Sequence, residues 1–177
     1  MSSPSHLILV TGGARAGKSR FAQRLAERGP FRRRLFIATA VACDEEMAAR
    51  IARHRAGRDG LWDTLEEPVE LPARIPRKFL SPGSALLLDC LPTFLTNLML
   101  AGMREPAIRA RVRRILSACR RPGLSSLFVT NEVGLGIVPE HPQARRFRDL
   151  LGVVNQEVAH AADEVHLLVA GIPLRVK

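Results

Sequence analysis

Leu7-Ile8-Leu9-Val10-Thr11-Gly12-Gly13-Ala14-Arg15-Ala16-Gly17-Lys18-Ser19 sets an apolar run directly against a glycine-rich loop that ends in Lys-Ser, and the residues Arg20–Arg28 that follow are compatible with a helix. Strand, loop and helix in that order is the context a phosphate-binding loop requires. Glycines let backbone N–H groups turn inward around phosphate oxygens, and the helix N-terminus adds partial positive charge. In such a loop Lys18 reaches the outer phosphates and Ser19 ligates Mg²⁺. Lysine is rare in this chain, occurring at Lys18, Lys78 and Lys177, whereas arginine is abundant. A compact ammonium has therefore been kept where a point charge is useful.

Working outward, 177 residues suit one compact α/β domain spanning the chain, and 46% hydrophobic content is ample for a core. No apolar run approaches the ~20 residues of a membrane span. The stretch Met1–Ser5 lacks a charged leader, so Leu7–Val10 reads as a strand and not a signal peptide. Cys43, Cys90 and Cys119 are odd in number and widely spaced, which suggests neither a disulfide framework nor a zinc site. The expected location is the cytoplasm. A net charge of +10 raises the question of nucleic acid, but the arginines are dispersed along the chain and aromatics make up only 5%. Single-strand binders interleave basic and stacking residues. Small anionic substrates fit the charge better, and no nucleic-acid partner is expected.

Short apolar runs at Leu7–Thr11, Leu35–Thr39, Ala85–Asp89, Leu127–Thr130 and Val165–Ala170 read as buried parallel strands. Helical patterns lie between them near 18–28, 44–57, 93–103, 106–120 and 143–162. Repeated βα units predict a mostly parallel sheet with helices on both faces, and Ile172–Val176 is available as an added edge strand. The segment 58–84 is rich in Gly and Pro and reads as a loop-rich excursion around a short helix. In open sheets of this type ligands bind beyond the carboxyl ends of the strands. Those ends carry the glycine loop, Thr39-Ala40, Asp89, Asn131-Glu132 and Gly171.

Asp89 closes Leu86-Leu87-Leu88, the position from which an acid holds Mg²⁺ in phosphate-loop enzymes; a helix N-cap is the alternative. His54 falls at helical spacing with Met47 and Ile51 and is surrounded by Arg50, Arg53, Arg55 and Arg58. Adjacent cations disfavour imidazolium, so His54 is expected to be neutral, hence nucleophilic, with guanidinium groups at hand to gather phosphates. The alternative is a surface histidine on an arginine-rich helix. Trp62, Thr64 and Glu66 alternate in a short extended piece, from which Glu66 reaches a base or sugar, or merely caps a turn. Asn131-Glu132-Val133-Gly134 is either a substrate or metal contact or an ordinary turn.

Together these residues resemble the bifunctional adenosylcobinamide kinase and adenosylcobinamide-phosphate guanylyltransferase family of cobalamin biosynthesis. The resemblance rests on Leu9 through Ser19, Ile37-Ala38-Thr39, Arg50-Ile51-Ala52-Arg53-His54, Trp62 through Pro68, Leu88-Asp89-Cys90-Leu91, Asn97, Thr130 through Gly134, Gly136 through Pro139, Arg145, Asn155-Gln156, Ala162 through Val165 and Gly171-Ile172-Pro173. It implies a RecA-like phosphate-loop protein assembling as a homotrimer. It implies phosphorylation of adenosylcobinamide by ATP or GTP, then GMP transfer from GTP through a covalent histidine intermediate that maps to His54. It further implies nucleotide contacts from Gly12, Gly13, Ala14, Arg15, Ala16, Gly17, Lys18 and Ser19, from Ala38, Thr39 and Ala40, from Arg55, Ala56, Gly57 and Arg58, and from Glu66 and Asp89. Lys18 and His54 would be catalytic, with Ser19 and Asp89 on Mg²⁺. Two departures stand out: Arg53 occupies a position where some members have a second histidine, and Pro92 stands where Thr is expected.

Overall fold

The computed structural model describes residues 4–41, 45, 49, 60 and 62–177. Of the helix expected over 44–57, Glu45 and Ala49 are described, and both are helical and exposed. The other residues of that segment, His54, Arg50, Arg53, Arg55, Ala56 and Gly57 among them, and Arg58 just beyond it, lie outside the described residues.

Seven strands form one sheet: β1 (His6–Gly12), β2 (Arg33–Ala38), β3 (Trp62–Glu66), β4 (Ser84–Asp89), β5 (Leu124–Val129), β6 (Glu164–Val169) and β7 (Ile172–Arg175). Their order across the sheet is β3-β2-β4-β5-β1-β6-β7. Every pairing is parallel except β6 with β7. The helices described from end to end are α1 (Lys18–Arg28), α2 (Leu91–Leu100), α3 (Glu105–Cys119) and α4 (Pro142–Ala161).

The continuous apolar runs have a simple cause. A parallel strand covered by helices on both sides has no solvent face, so both of its alternating side-chain sets must be apolar. In β1, Leu7 and Leu9 enter a core shared with α2, α3 and α4, while Ile8 and Val10 point into the opposite core, with Ala22 and Ala26 of α1. A slip of one residue would exchange the two cores, so register is strongly specified. Arg34 in β2 is almost fully buried, yet it is satisfied: its guanidinium donates to the Ala26, Glu27 and Gly29 carbonyls at the end of α1. A cation there meets the negative end of the helix dipole and the carbonyls that lack intrahelical partners.

The segment 58–84 is loop-rich around a short helical turn, as expected, and its extended piece joins the sheet. It contributes a genuine edge strand, β3, before a loop broken only by the 3-10 turn Arg77–Phe79. Trp62 holds that strand in place, its ring edge-on to Phe36 and its Nε1 donating to Glu27 Oε1 at 3.0 Å. The last expected parallel strand also ends earlier than its apolar run, at Val169. Ala170 (φ 50°) and Gly171 (φ 85°) take left-handed conformations there and turn the chain into β7. Among the described residues no helix is long and apolar enough to cross a membrane.

The base of the sheet is pinned by Asp163, which accepts the Leu7 N–H and an Arg120 N–H, each at 2.7 Å. Burial alone would raise the Asp163 pKa. The Arg120 and Leu7 hydrogen bonds, with the charges of Arg120 and His6, outweigh that and hold it below the ordinary carboxylate value. A lowered folded-state pKa contributes stability above the unfolded-state value and loses it as pH falls through the folded one. Asp163→Asn is therefore expected to unfold at lower urea than the wild type at pH 7. The gap should close as the pH drops below the carboxylate range, as followed by circular dichroism.

Candidate nucleotide-binding site

The strand registers align one row across the carboxyl edge of the sheet: Glu66, Ala38, Asp89, Val129, Val10 and His166 are successive neighbours. The loop from Gly13 to Gly17 rises just beyond this row and runs into α1. Gly12 has φ 140°, and a Cβ there would lie 2.4 Å from the Leu168 carbonyl oxygen. Only glycine lets β1 pass β6 that closely and still turn into the loop. Gly17 (φ 87°) turns the chain into the helix, and Arg15 is also left-handed, at φ 57°. The first turn of α1 carries no acidic residue, so nothing of like charge there opposes an anion at the positive end of its dipole.

Lys18 lies at that turn, half-buried, with Nζ donating to the Gly13 carbonyl at 2.6 Å. Burial lowers its pKa, against the opposing pull of Cys90, Asp89 and Glu132. Two carboxylates thus favour the charged form of one partly desolvated ammonium. Ser19 Oγ, at the start of α1, donates to Asp89 Oδ1 at 3.0 Å, so the hydroxyl meets the acid at the end of β4 although β1 and β4 are not neighbours. The helix-cap alternative for Asp89 fails: it is the last residue of β4, and Cys90 occupies the N-cap of α2. Pro92 sits in the first turn of that helix, where a missing N–H costs nothing. A hydroxyl and a carboxylate oxygen side by side are hard donors suited to Mg²⁺, which takes few protein ligands and completes its shell with phosphate and water.

Cys90 is the one thiol beside these groups among the described residues. Burial raises its pKa, as does the Asp89 carboxylate, against weaker opposing effects from Thr93 and Lys18. A thiol held protonated is a poor nucleophile.

The remaining predicted residues take different parts. Ala38 is packed in the α1-side core, and Glu66 stands exposed at the end of the edge strand. Thr39 is fully buried; its Oγ1 donates to the Cys90 carbonyl at 3.0 Å and accepts the Cys90 N–H at 3.1 Å. Its hydroxyl thus ties the ends of β2 and β4 together. Asn97 extends this tie, donating to the Thr39 and Pro68 carbonyls.

A second polar cluster forms at the end of β5. Glu132 Oε1 accepts from Thr11 Oγ1 at 2.6 Å and from Asn155 Nδ2 at 3.3 Å. Asn155 also donates to the Asn131 carbonyl and accepts from Thr130 Oγ1 at 2.6 Å. Residue-level reading assigned no role to Thr11 or Asn155. The signal was present for Asn155: it is a lone amide on the α4 face that buries Leu151, Val154 and Val158.

A cavity of about 440 Å³ opens between α2, α3 and α4 over Met99, Met103, Ile108, Phe147 and Leu150. None of its lining residues belongs to the glycine loop, so the loop and its carboxylates identify the site, not this cavity.

A parallel sheet with this strand order, a glycine loop leading into a helix, and a Lys-Ser pair facing an acid define a phosphate-loop nucleotide-binding protein of the RecA-like kind. Solved structures agree on the fold. The chain resembles an ATPase from the type III secretion system of pathogenic bacteria (TM-score 0.62, 10% identity, 94% of this chain and 51% of that one). It also resembles a KaiC-like protein from Pyrococcus horikoshii (TM-score 0.51, 14% identity, 93% and 71%). The family described as cobinamide kinase / cobinamide phosphate guanyltransferase matches residues 8–176, and the chain belongs to it. Curated relatives include the bifunctional adenosylcobalamin biosynthesis proteins CobU of Escherichia coli (44% identical, 97% of this chain and 99% of that protein) and of Salmonella typhimurium (45%, 97% and 99%). The corresponding CobP protein of Pseudomonas aeruginosa is 43% identical over 96% of each chain.

Gly12→Ala is expected to cost roughly 1–3 kcal/mol, from left-handed strain and the collision with the Leu168 carbonyl. Gly13→Ala, whose added Cβ meets nothing within 4 Å, should change stability by less than about 0.5 kcal/mol. Thermal unfolding of the two variants measures the difference.

Proposed function

We propose that this chain carries out both reactions for which its family is described. It phosphorylates the hydroxyl of adenosylcobinamide with ATP or GTP, then transfers GMP from GTP to the resulting phosphate. The observation that carries this reading is the meeting of Lys18, Ser19 and Asp89 at the glycine loop in a chain of that family. The carboxyl-edge row and the acid-free first turn of α1 suit a triphosphate lying along the loop. The backbone from Gly12 to Ser19 would cradle it, with Ala38, Thr39, Ala40, Arg55, Ala56, Gly57, Arg58, Glu66 and Asp89 as the further nucleotide contacts. Ser19 and Asp89 would hold Mg²⁺, which when bound supplies charge neutralisation on the phosphates. Lys18 would stabilise charge building on the leaving group in both reactions.

For the second reaction we assign the nucleophile to His54. A neutral imidazole attacks the α-phosphorus of GTP, a nitrogen–phosphorus bond forms and pyrophosphate leaves. The phosphate of the corrinoid then displaces the histidine. Covalent catalysis of this kind divides one difficult displacement into two. The Cys90 thiol, held protonated, is not a competing nucleophile. A plain small-molecule kinase would account for the loop but not for the guanylyltransferase in the family's description.

GTP labelled at the α-phosphate is expected to leave an acid-labile label on the wild-type protein, located at residue 54 by mass spectrometry. His54→Ala should lose the label while still phosphorylating the corrinoid, and Lys18→Ala should lose both reactions. An unlabelled wild type would leave only the kinase.

We also propose one nucleotide-binding domain spanning 1–177, a cytoplasmic location and a homotrimer. Assembly is supported by large apolar side chains standing in water: Leu135 and Ile137 in the loop after Glu132 are 83% and 94% exposed, and Ile172 on the outermost strand is 70% exposed. Exposed apolar residues gathered in one stretch favour a protein partner. Light scattering coupled to gel filtration should give a mass near three times 19.5 kDa, and a monomer would refute the trimer.

A further inference from the structure

Two carboxylates act on Lys18 from different strand ends, and only one of them has been given a role. Asp89 faces Ser19 and belongs to the metal side of the site. Glu132 lies in the loop just after β5, the strand between β1 and β4. Its backbone N–H donates to the Gly12 carbonyl at 3.4 Å, fastening it to the root of the glycine loop. Its Oε1 is doubly engaged, by the Thr11 hydroxyl and the Asn155 amide. Among the described residues no hydrogen bond ends on Oε2.

That arrangement is unlike a turn acid. Asn155 is nearly buried on α4 and its amide is spent on this one corner: the oxygen accepts from Thr130, and the nitrogen donates to Asn131 and Glu132. Thr11 is likewise buried, and its hydroxyl donates to the same carboxylate oxygen. A carboxylate gripped through one oxygen by two buried donors loses most of its rotational freedom, and its other oxygen is left as a fixed acceptor. The backbone of Glu132 is fastened to Gly12 and its side chain to Thr11, so that second oxygen is held at the root of the loop that would carry the phosphates.

We infer that Glu132 is the general base of the kinase reaction, with Thr11 and Asn155 as its positioning residues; this rests on the kinase reading above. An alcohol attacking a γ-phosphate must lose its proton as the bond forms. The substrate oxygen bonds to the γ-phosphorus, and the bond to the β-phosphate bridging oxygen breaks. The leaving electron pair goes to the nucleoside diphosphate, and the hydroxyl proton passes to Glu132 Oε2. Guanylyl transfer makes no such demand. Its acceptor is a phosphate monoester, whose second pKa is about 6 and which already bears a deprotonated oxygen at neutral pH. The two reactions therefore differ in their need for Glu132 although they share the loop.

Glu132→Gln keeps the acceptor for Thr11 and removes the base. The purified protein is assayed for phosphorylation of adenosylcobinamide and, separately, for guanylylation of adenosylcobinamide phosphate, with nucleotide affinity read by a fluorescent GTP analogue. The ratio of kinase to guanylyl rate is expected to fall about 100-fold or more, through kcat and not KM, as loss of a general base does. Thr11→Val, which removes one grip, should lower the same ratio by about ten-fold with KM kept. A wild type active in both reactions, with Glu132→Gln slowing both equally or neither, overturns the base and leaves the bifunctional reading standing. A wild type that phosphorylates no corrinoid removes both.

Discussion

The strand β1 is confined on every side, and the site exists because of that confinement. Its edges are paired with β5 and β6, and its two faces belong to two different cores. A strand so placed cannot slip by one residue or bow outward without exposing one core and emptying the other. Its end is therefore a fixed point, and at that point Gly12 passes the Leu168 carbonyl with no room for a side chain. The loop that follows is positioned by packing some distance below it. This is how a flexible glycine-rich segment becomes a rigid cradle for an anion.

Strand order then decides which chemistry reaches the loop. Because β5 lies between β1 and β4, the loop faces acids from two different strand ends: Asp89 across the gap and Glu132 next door. One engages Ser19, and the other is held by Thr11 and Asn155. Lys18 is subject to both charges and is partly desolvated. A low local dielectric strengthens each of these interactions, so the same burial that taxes the ammonium makes it effective against phosphate. The abundance of arginine elsewhere adds long-range attraction for anionic substrates without setting this geometry.

Much of the fold could be read along the chain because buried parallel strands write themselves as short apolar runs. Leu86-Leu87-Leu88-Asp89 marked both a strand and the acid at its end. The alternation of Trp62, Thr64 and Glu66 marked an extended piece, but not its place as an edge strand whose Asp63 and Thr64 face water. Its identity as a strand depends on Phe36 and Glu27, which are distant in sequence. The polar cluster around Glu132 was half visible: its acid stood at a strand end, but Thr11 and Asn155 lie 121 and 23 residues away from it. No local pattern announces that two such distant residues donate to one carboxylate oxygen.

The sequence by itself determined the phosphate loop, the alternation of strand and helix, and the family. These are local matters: glycine freedom, hydrophobic period, and residue types at a motif's spacing. Tertiary structure alone decided that Thr39 would spend its hydroxyl on the Cys90 backbone and that Cys90, not Asp89, would cap α2. It also decided that Glu132 would be gripped through one oxygen and not the other. Each of those outcomes depends on which strand ends become neighbours, and that follows from filling two cores at once, a constraint no single segment carries.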